Sequence, residues 1–363
     1  MDRDMNKTPK VSVVIPVYNN AVFIRETLDS LKNQTFPDFE ALVVDDGSSD
    51  ASASIIREFE AADSRFHYIF QENSGAGPAR NNGMNRARGE YISFLDGDDL
   101  YTPDYLKRMT ESLDITKADV CVCERADFNS KTGKIIEQKT KYSGFEENRA
   151  YRTRDLLDGY FNLMTVVCWN KVFRRSLLLK HHFEFQNLRA SNDVAFVCST
   201  MAAAETVCFI KERLVRYRTG TGGSTQDKAV KYPLCAMEAF GKARENVAAL
   251  HEGDREWLRN IDIRCADAFF NTIQKDVKDD IACRTAYDAF KDKYEDEWNF
   301  RDKPLRYFGK MKLRLRMWCY RRTSYEGMKK AFLKLHIERG KKKSSFDRVK
   351  PYGVLFFAGL FKR

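Results

Sequence analysis

The sequence predicts an α/β fold: a doubly wound, mostly parallel sheet with helices on both faces, followed by a helical, basic C-terminal region. Strand-like apolar runs alternate with helix-like segments over about the first 100 residues, and such alternation with short connections is typical of parallel sheets. Several runs are almost wholly apolar, as in strands buried on both faces. Residues 301–363 hold 20 Lys and Arg against 4 Asp and Glu, while the other 300 residues hold 42 against 48. We therefore expect a sheet domain over 1–225 and a helical basic region over 226–363.

Each element of the first part rests on a local pattern. Apolar or β-branched runs predict the strands, and small or polar residues predict the turns between them. We expect Pro16 to end the first strand and Asn20 to cap the first helix. The predicted elements are strand 11–15, helix 21–33, strand 41–44, helix 51–61, strand 66–70, a helix through Arg80 to Arg88, and strand 91–95.

Polar side chains collect where these strands end. They are Tyr18 and Asn19 after the first strand, Asp45 and Asp46 after the second, and Asp96, Asp98 and Asp99 after the fourth. The carboxyl ends of parallel strands share one edge, where such sheets bind ligands. Three carboxylates in four residues are costly without a cation, and carboxylate oxygens suit Mg²⁺ or Mn²⁺ shared with substrate phosphates. The alternative is a solvated acidic turn, with Asp99 capping a helix that starts near Pro103.

Several classes of protein are disfavoured. The first strand is not followed by G-x-G-x-x-G or a P-loop, which disfavours a dinucleotide-binding protein and a nucleotidyltransferase. The nine cysteines lack the paired spacing of metal sites and are expected to be reduced thiols; Cys121 and Cys123 lie in a predicted strand, where packing is their expected role. We expect neither a secretory signal nor a spanning helix, and hence a cytoplasmic protein. Basic clustering alone does not predict a nucleic-acid partner.

Five segments resemble the family two glycosyltransferases, which have the GT-A fold, transfer hexose-type sugars and serve bacterial polysaccharide synthesis. In order and spacing they match over roughly residues 10–220. The segments are VSVVIPVYNN, QTFPDFEALVVDDGSSD, NSGAGPARNNGMNRARGEYISFLDGDDLYTPDYL, CWNKVFRR and the NDVAF segment.

The resemblance implies a nucleotide-sugar donor, expected to be a UDP-sugar, and assigns residues to it. Asp46 would accept a hydrogen bond from the base, and Tyr18 would lie against the base. Asp96-Gly97-Asp98 would be the D-x-D motif, with Asp98 as the direct ligand of Mn²⁺ or Mg²⁺ and Asp96 near the ribose and the metal. Arg80 would pair with the acidic edge or the phosphates, the alternative being a solvated surface arginine. The full set implied for the donor is Pro16, Val17, Tyr18, Asn19, Asp46, Arg80, Asp96 and Asp98.

The resemblance also implies an acceptor side. Asp193 matches the catalytic base, and Asn192 stands where the family usually has Glu. Read alone, Asn192-Asp193 before an apolar run is a helix cap. Trp169 and Asn170 would shape the acceptor side, although a core tryptophan is an equal alternative. A single base on the face opposite the leaving group implies inversion at the sugar carbon.

Two further expectations concern the later part of the chain. The Arg216-Tyr217-Arg218 segment, followed by a glycine-rich stretch, resembles a loop that closes over the diphosphate. Helices are predicted over 233–251 and 257–277, the second starting near Asp254. Basic and aromatic residues coincide in 305–363, which predicts binding to the anionic inner face of a membrane, close to a glycan or lipid-linked saccharide acceptor. The alternatives are helices that pack back on the catalytic domain and, for the whole chain, a non-catalytic sugar-nucleotide-binding protein.

Overall fold

The computed structural model describes residues 8–221, 232, 234–275, 280–297, 300, 303–304, 316–317, 320–321 and 324–328. The strands are β1 Val11–Val17, β2 Phe39–Asp45, β3 Phe66–Phe70, β4 Tyr91–Phe94, β5 Leu100–Tyr101, β6 Val120–Asn129, β7 Ile135–Glu137, β8 Tyr151–Arg152, β9 Lys171–Arg174 and β10 Thr206–Thr219. The helices are α1 Ile24–Lys32, α2 Ser52–Ala62, α3 Ala76–Arg86, α4 Tyr105–Thr116, α5 Tyr160–Leu163, α6 Arg175–His181, α7 Val194–Ala203, α8 Cys235–Leu250, α9 Arg255–Lys275, α10 Asp280–Ala289 and α11 Glu295–Glu297.

These strands form one mixed, mostly parallel sheet in the order β3-β2-β1-β4-β9-β6-β10-β5. The block β3-β2-β1-β4 is parallel throughout, and β6 runs parallel to β10. Strand β9 lies antiparallel between β4 and β6. Val14 packs in the core on one face with Ala79 of α3, and Val13 packs on the other with Leu28 of α1. The predicted doubly wound architecture with helices on both faces is confirmed.

The prediction that Pro16 ends the first strand is wrong, because β1 continues to Val17. The pairing of β1 with β4 ends at Val14 opposite Phe94, so Pro16 pairs with β2 alone. Proline has no N–H to donate and is tolerated where a neighbouring strand has already ended.

Two helices are shorter than predicted for local reasons. Helix α1 begins at Ile24, and the carbonyl of Asn20, not its side chain, accepts the N–H groups of Phe23 and Ile24. Helix α3 ends at Arg86, before Arg88. The backbone N–H and guanidinium of Arg88 both donate to the buried Glu40, which draws the chain out of the helix.

The C-terminal helices lie close to their predicted positions. Helix α8 covers 235–250 against the predicted 233–251, and α9 covers 255–275 against 257–277. Asp254 caps α9 as predicted, since its Oδ1 accepts the N–H groups of Glu256 and Trp257. Helix α8 packs on α7, where the Asn246 amide donates to Ser199 Oγ at 2.9 Å. The division between residues 225 and 226 falls outside the described residues and stays a prediction.

Most of the basic stretch 305–363 lies outside the described residues. The part that is described contributes Met317, Tyr320, Tyr325 and Met328 to the core, and the Tyr320 ring packs edge-on against Phe269. For these residues the alternative of packing back on the protein holds. Within the described ranges, every helix is too short or too polar to cross a membrane.

Candidate active site

The site lies at the carboxyl edge of the parallel block. The N–H of Asp46 donates to the carbonyl of Val17, which ties the ends of β1 and β2 together. Gly97 follows β4 and approaches the same edge closely. A Cβ at residue 97 would lie 2.9 Å from the Asn20 side-chain nitrogen and 3.2 Å from the Pro16 carbonyl oxygen. Glycine at this position lets the D-x-D turn lie close to the first strand without displacing either group.

On the donor side, Tyr18 is 54% exposed and leaves a ring face open beside the strand ends. Asn19 has a positive φ of 47° and accepts the Ser49 N–H at 2.8 Å, which fixes the loop after β1. Asp46 is buried, and its two carboxylate oxygens accept the N–H groups of Ser74 and Gly75, both at 2.8 Å. Asp46 thus holds the turn before α3 in place, and its contact with a base stays a prediction.

The three acids after β4 have different partners. Asp96 pairs with Arg80, whereas no described side chain donates to Asp98. The buried Asp99 accepts the N–H of Arg218 at 2.8 Å through Oδ1, and no described group donates a hydrogen bond to its Oδ2. The alternative that Asp99 caps the next helix is wrong. Helix α4 begins only at Tyr105, and the Asp99 carboxylate accepts a hydrogen bond from Arg218 of β10.

Burial dominates the electrostatics of this acidic cluster. It raises the pKa of Asp98 to about 6, and the charge of Asp96 adds to the rise. Burial, followed by the charges of Asp98 and Asp96, also raises the pKa of Asp99 well above its usual range. Deprotonating these acids therefore places costly, partly uncompensated negative charge in the site, as expected where a cation binds.

The carboxylates fit a divalent cation that completes its coordination with substrate oxygens. Among the described residues, no group of three His, Cys, Asp or Glu side chains is arranged to hold a metal ion unaided. Mg²⁺ and similar ions are commonly held by one or two carboxylates together with substrate phosphates. Asp98, with its unpaired carboxylate, and Asp96 would supply that pair, and the unpartnered Oδ2 of Asp99 marks the same uncompensated charge.

Arg80 connects the acidic cluster to the predicted base. Its guanidinium is buried and donates to Asp96 Oδ1 at 2.5 Å and to Asn192 Oδ1 at 2.8 Å. The guanidinium also lies over the Phe185 ring, 5.4 Å from its centroid. The prediction that Arg80 pairs with the acidic edge is confirmed, and the alternative of a solvated surface arginine is wrong.

Asp193 follows Asn192, which accepts a hydrogen bond from Arg80, and directly precedes α7. Its side chain makes no cap hydrogen bond, and no described side chain donates to its carboxylate. Burial raises the pKa of Asp193 to about 6; the charge of Arg80 opposes this rise and that of Asp96 adds to it. A carboxylate with free oxygens and a pKa near the working pH has the properties of a general base.

Trp169 and Asn170, which were predicted to shape the acceptor side, are both buried. The Trp169 ring stacks on Tyr217, with centroids 5.4 Å apart, and belongs to the core. The Asn170 amide donates to the Cys123 carbonyl at 3.0 Å and accepts from Lys171. The alternative of a core tryptophan therefore holds for Trp169, and a role of either residue toward an acceptor stays a prediction.

Several residues of the site were not identified from the sequence. Lys171 is fully buried, and its ammonium donates only to neutral groups of its own loop: Thr165 Oγ1, the Val167 carbonyl and Asn170 Oδ1. Burial lowers the pKa of Lys171 to about 7. Arg125 lies on the Trp169–Tyr217 stack. Arg125 follows the apolar run at the start of β6, a signal that the sequence offered, whereas nothing local marks Lys171 as buried.

Arg218 of β10 supports the D-x-D turn. Arg218 is buried and donates to the Asp98 carbonyl at 2.6 Å and to Glu26 at 2.8 Å, so it braces the D-x-D turn against α1. Cys121 and Cys123 are free thiols buried in β6, where packing was expected.

Comparisons with known proteins identify the family and the fold. A family profile described as "Glycosyl transferase family 2" matches residues 12–181. EpsH of Bacillus subtilis (strain 168), assigned by name as a glycosyltransferase, is 31% identical over 297 residues, which cover 73% of this chain and 85% of EpsH.

Two solved structures share the fold. The S. aureus TarS fragment 1–349 in complex with UDP-GlcNAc superposes with a TM-score of 0.64 at 21% identity, covering 91% of this chain and 92% of the fragment. The mannosyltransferase PcManGT from Pyrobaculum calidifontis, in complex with GDP-Man and Mn²⁺, gives a TM-score of 0.51 at 18% identity, covering 79% of this chain and 76% of that protein. With the sequence matches and the shared fold together, this chain belongs to glycosyl transferase family 2.

Proposed function

We propose that this chain transfers a sugar from a UDP-sugar to a hydroxyl group of a glycan or lipid-linked acceptor, with inversion at the sugar carbon. One observation carries the proposal: Arg80 bonds to Asp96 of the acidic turn and to Asn192 beside Asp193. A group for the leaving diphosphate and a group for the incoming hydroxyl are therefore held on one scaffold. The arrangement is that of a transferase with one general base.

On the donor side, Tyr18 offers an exposed ring for the base, and the loop fixed by Asn19 and Asp46 frames it. The choice of uridine follows the family resemblance and the nucleotide in the TarS complex. A divalent cation, held by Asp98 and Asp96, would neutralise charge that develops on the leaving diphosphate. PcManGT carries Mn²⁺ beside its nucleotide sugar, which supports the same choice here.

On the acceptor side, Asp193 takes the proton of the attacking hydroxyl. As the new bond forms between that oxygen and the sugar carbon, the bond from the carbon to the diphosphate oxygen breaks, and the diphosphate leaves with the electron pair. Asp193 suits the step because its carboxylate is free of side-chain donors and a pKa of about 6 leaves it mostly ionised at neutral pH. No residue of the protein needs to form a covalent intermediate.

The proposal is tested by comparing Asp193→Asn with Asn192→Asp. Asp193→Asn should bind UDP as the unchanged protein does but lose transfer at least about 100-fold, the usual contribution of a general base. Asn192→Asp keeps the base and should retain activity within about tenfold. Equal transfer rates in Asp193→Asn and the unchanged protein, measured over a panel of UDP-sugars and acceptors, would overturn the assignment.

A non-catalytic sugar-nucleotide-binding protein is the second candidate. The observation that favours it is Asn192, a neutral amide where the family usually has Glu. UDP binding without transfer to any of the surveyed acceptors, and without slow hydrolysis of the UDP-sugar, would favour this candidate.

Surface polysaccharide synthesis in the cytoplasm is the setting that the family resemblance implies. Binding to an anionic membrane is part of this proposal, and its support is compositional: residues 329–363 hold 11 Lys and Arg against 2 Asp and Glu. Deletion of 329–363 should abolish co-sedimentation with vesicles that contain anionic lipid. Unchanged co-sedimentation would remove the membrane from the proposal.

A further inference from the structure

Arg125 presents a guanidinium group over an aromatic stack at the edge of the site. Its Cζ lies 4.6 Å from the Tyr217 ring centroid and 5.3 Å from that of Trp169. These two rings are nearly parallel, with an interplanar angle of 17°. Stacking on aromatic faces fixes the plane of a guanidinium while leaving its N–H donors free at the rim.

Within the described part of the chain, Arg125 forms one ion pair, between Nε and Asp127 Oδ1 at 3.4 Å, and this contact lacks the geometry of a hydrogen bond. No described group accepts a hydrogen bond from the two terminal nitrogens of Arg125. The side chain of Arg125 is 35% exposed, so its donors are open to a ligand. The neighbouring arginines differ, because Arg80 and Arg218 each donate to two groups of the protein.

The position of Arg125 ties it to the reaction centre. Tyr217 of the stack precedes Arg218, whose backbone N–H donates to Asp99 Oδ1 and whose guanidinium donates to the Asp98 carbonyl. The stack beneath Arg125 therefore adjoins the D-x-D turn.

We infer that Arg125 is a phosphate-binding residue of the substrate site. The inference rests on the proposed glycosyltransferase function and extends it to a residue that the family resemblance did not assign. A planar guanidinium with open N–H donors matches the oxygens of a phosphate group, and such charge-assisted bonds are strong. The phosphate belongs either to the donor diphosphate or to an acceptor that carries a phosphate, and the two sources share the same recognition chemistry.

Calorimetry with Arg125→Gln distinguishes the two sources. In Mn²⁺, the affinities for UDP and for uridine are measured; inorganic phosphate is then titrated with and without saturating UDP. If Arg125 holds the donor diphosphate, Arg125→Gln weakens UDP binding about tenfold or more and leaves uridine binding unchanged. If Arg125 binds a phosphate on the acceptor, Arg125→Gln leaves UDP binding unchanged and weakens phosphate binding to the UDP complex by a similar factor.

Two further variants serve as a control and as a charge-conserving substitution. Arg149→Gln removes an arginine that also lies over a tyrosine ring, 5.2 Å from the centroid of Tyr151, but pairs with Glu146 at the surface; it should change neither affinity. Arg125→Lys keeps the charge and should retain part of the lost affinity even if Arg125→Gln folds poorly. The inference is overturned if Arg125→Gln and Arg125→Lys bind UDP and phosphate as tightly as the unchanged protein. Failure of the unchanged protein to bind UDP would instead contradict the proposed function, and the phosphate titration without UDP would still test Arg125.

Discussion

At the scale of single residues, the site depends on how charge is distributed around Asp193. Asn192 accepts one N–H of Arg80 without adding a negative charge, and Asp96 accepts another. Asp193 therefore faces one cation and one acid nearby, with the buried Lys171 contributing further positive charge. A glutamate at 192 would place a second carboxylate next to the base.

The acid limb of the pH–rate profile should report this arrangement. Transfer requires ionised Asp193, whose pKa burial raises to about 6, so kcat/KM should rise with pH and level off above about 6. Asn192→Glu should move the limb to higher pH by roughly half a unit to one unit, because a neighbouring negative charge disfavours ionisation. Asn192→Gln, which keeps the amide, should not move it. A limb that stays in place in Asn192→Glu would show that residue 192 does not influence the base.

Arg80 should tolerate substitution poorly, since one guanidinium serves two partners. Arg80→Lys retains the charge but replaces the two guanidinium nitrogens that donate separately to Asn192 and Asp96 with a single ammonium nitrogen. We expect Arg80→Lys to lower kcat/KM at least about tenfold with little loss of thermal stability, measured by initial rates and a melting curve. Arg86→Lys, at an exposed position on the same helix, is the control and should leave both quantities unchanged. An Arg80→Lys enzyme with full activity would contradict the role of the bridge.

The sequence predicted single residues where they belong to a recognised motif. Arg80 contacts both Asp96 of the D-x-D turn and Asn192 beside Asp193, and the roles assigned to these residues stay predictions. Burial of Trp169 was one of two alternatives, and the burial of Lys171 was not predicted, because it depends on where β9 enters the sheet. The environment of Arg125 depends likewise on the ring of Tyr217, which is distant in sequence and adjacent in space.

At the scale of elements, the site depends on the close contact between α3 and the loop before α7. Asn81 donates to the Phe185 carbonyl and accepts the Phe185 N–H, both at 2.9 Å. Gly77 lies one helical turn away, where a Cβ would sit 2.1 Å from the Gln186 carbonyl oxygen. Helix and loop therefore meet backbone to backbone, which sets the distance between Arg80 and Asn192.

Gly77→Ala should consequently damage both stability and activity. The added methyl group forces the loop away from α3 and should cost roughly 1–3 kcal/mol of unfolding free energy, measured by urea denaturation. Transfer should fall further than stability explains, because the loop carries Asp193. Gly144→Ala, where a Cβ would meet nothing within 4 Å, is the matched control. Normal activity in Gly77→Ala would show that this contact does not position the base.

The elements of the parallel block were predicted to within a few residues, since apolar runs and turn residues are local signals. The pairings of the strands added after this block were not predicted. Strand β9 has four residues between β4 and β6, and β10 pairs with β6 over a distance of about 90 residues in sequence. Such pairings depend on which edge is free after the parallel block has formed, and periodicity carries no information on that choice.

At the scale of the whole molecule, the C-terminal helices and the sheet domain share one apolar cluster. Trp257 of α9 packs against Tyr160 and Phe161 of α5, with ring centroids 5.5 and 5.9 Å away. His251 stacks on the same ring at 4.2 Å and contacts the Ala202 carbonyl in α7. The basic C-terminal region was predicted as helical from its periodicity, but its burial against the catalytic domain was only one of two alternatives.

Trp257→Ala should therefore destabilise both parts together. Truncation of a buried tryptophan costs about 3–5 kcal/mol, and the urea transition followed by circular dichroism should shift as one step. Leu179→Ala, at a side chain that is half exposed, should change stability by less than about 0.5 kcal/mol. Two separate transitions in Trp257→Ala would indicate that the C-terminal helices fold independently of the sheet.

The central claim is that the acidic turn at the sheet edge binds a uridine nucleotide together with a divalent cation. It is tested most directly by calorimetric titration of UDP, with GDP and CMP as controls, in Mn²⁺ and in EDTA, on the unchanged protein and on Asp98→Ala. We expect UDP to bind in Mn²⁺, to bind at least about tenfold more weakly in EDTA, and to show the same loss in Asp98→Ala. Absence of binding by any of the three nucleotides, or UDP binding that is indifferent to both Mn²⁺ and Asp98, would contradict the claim.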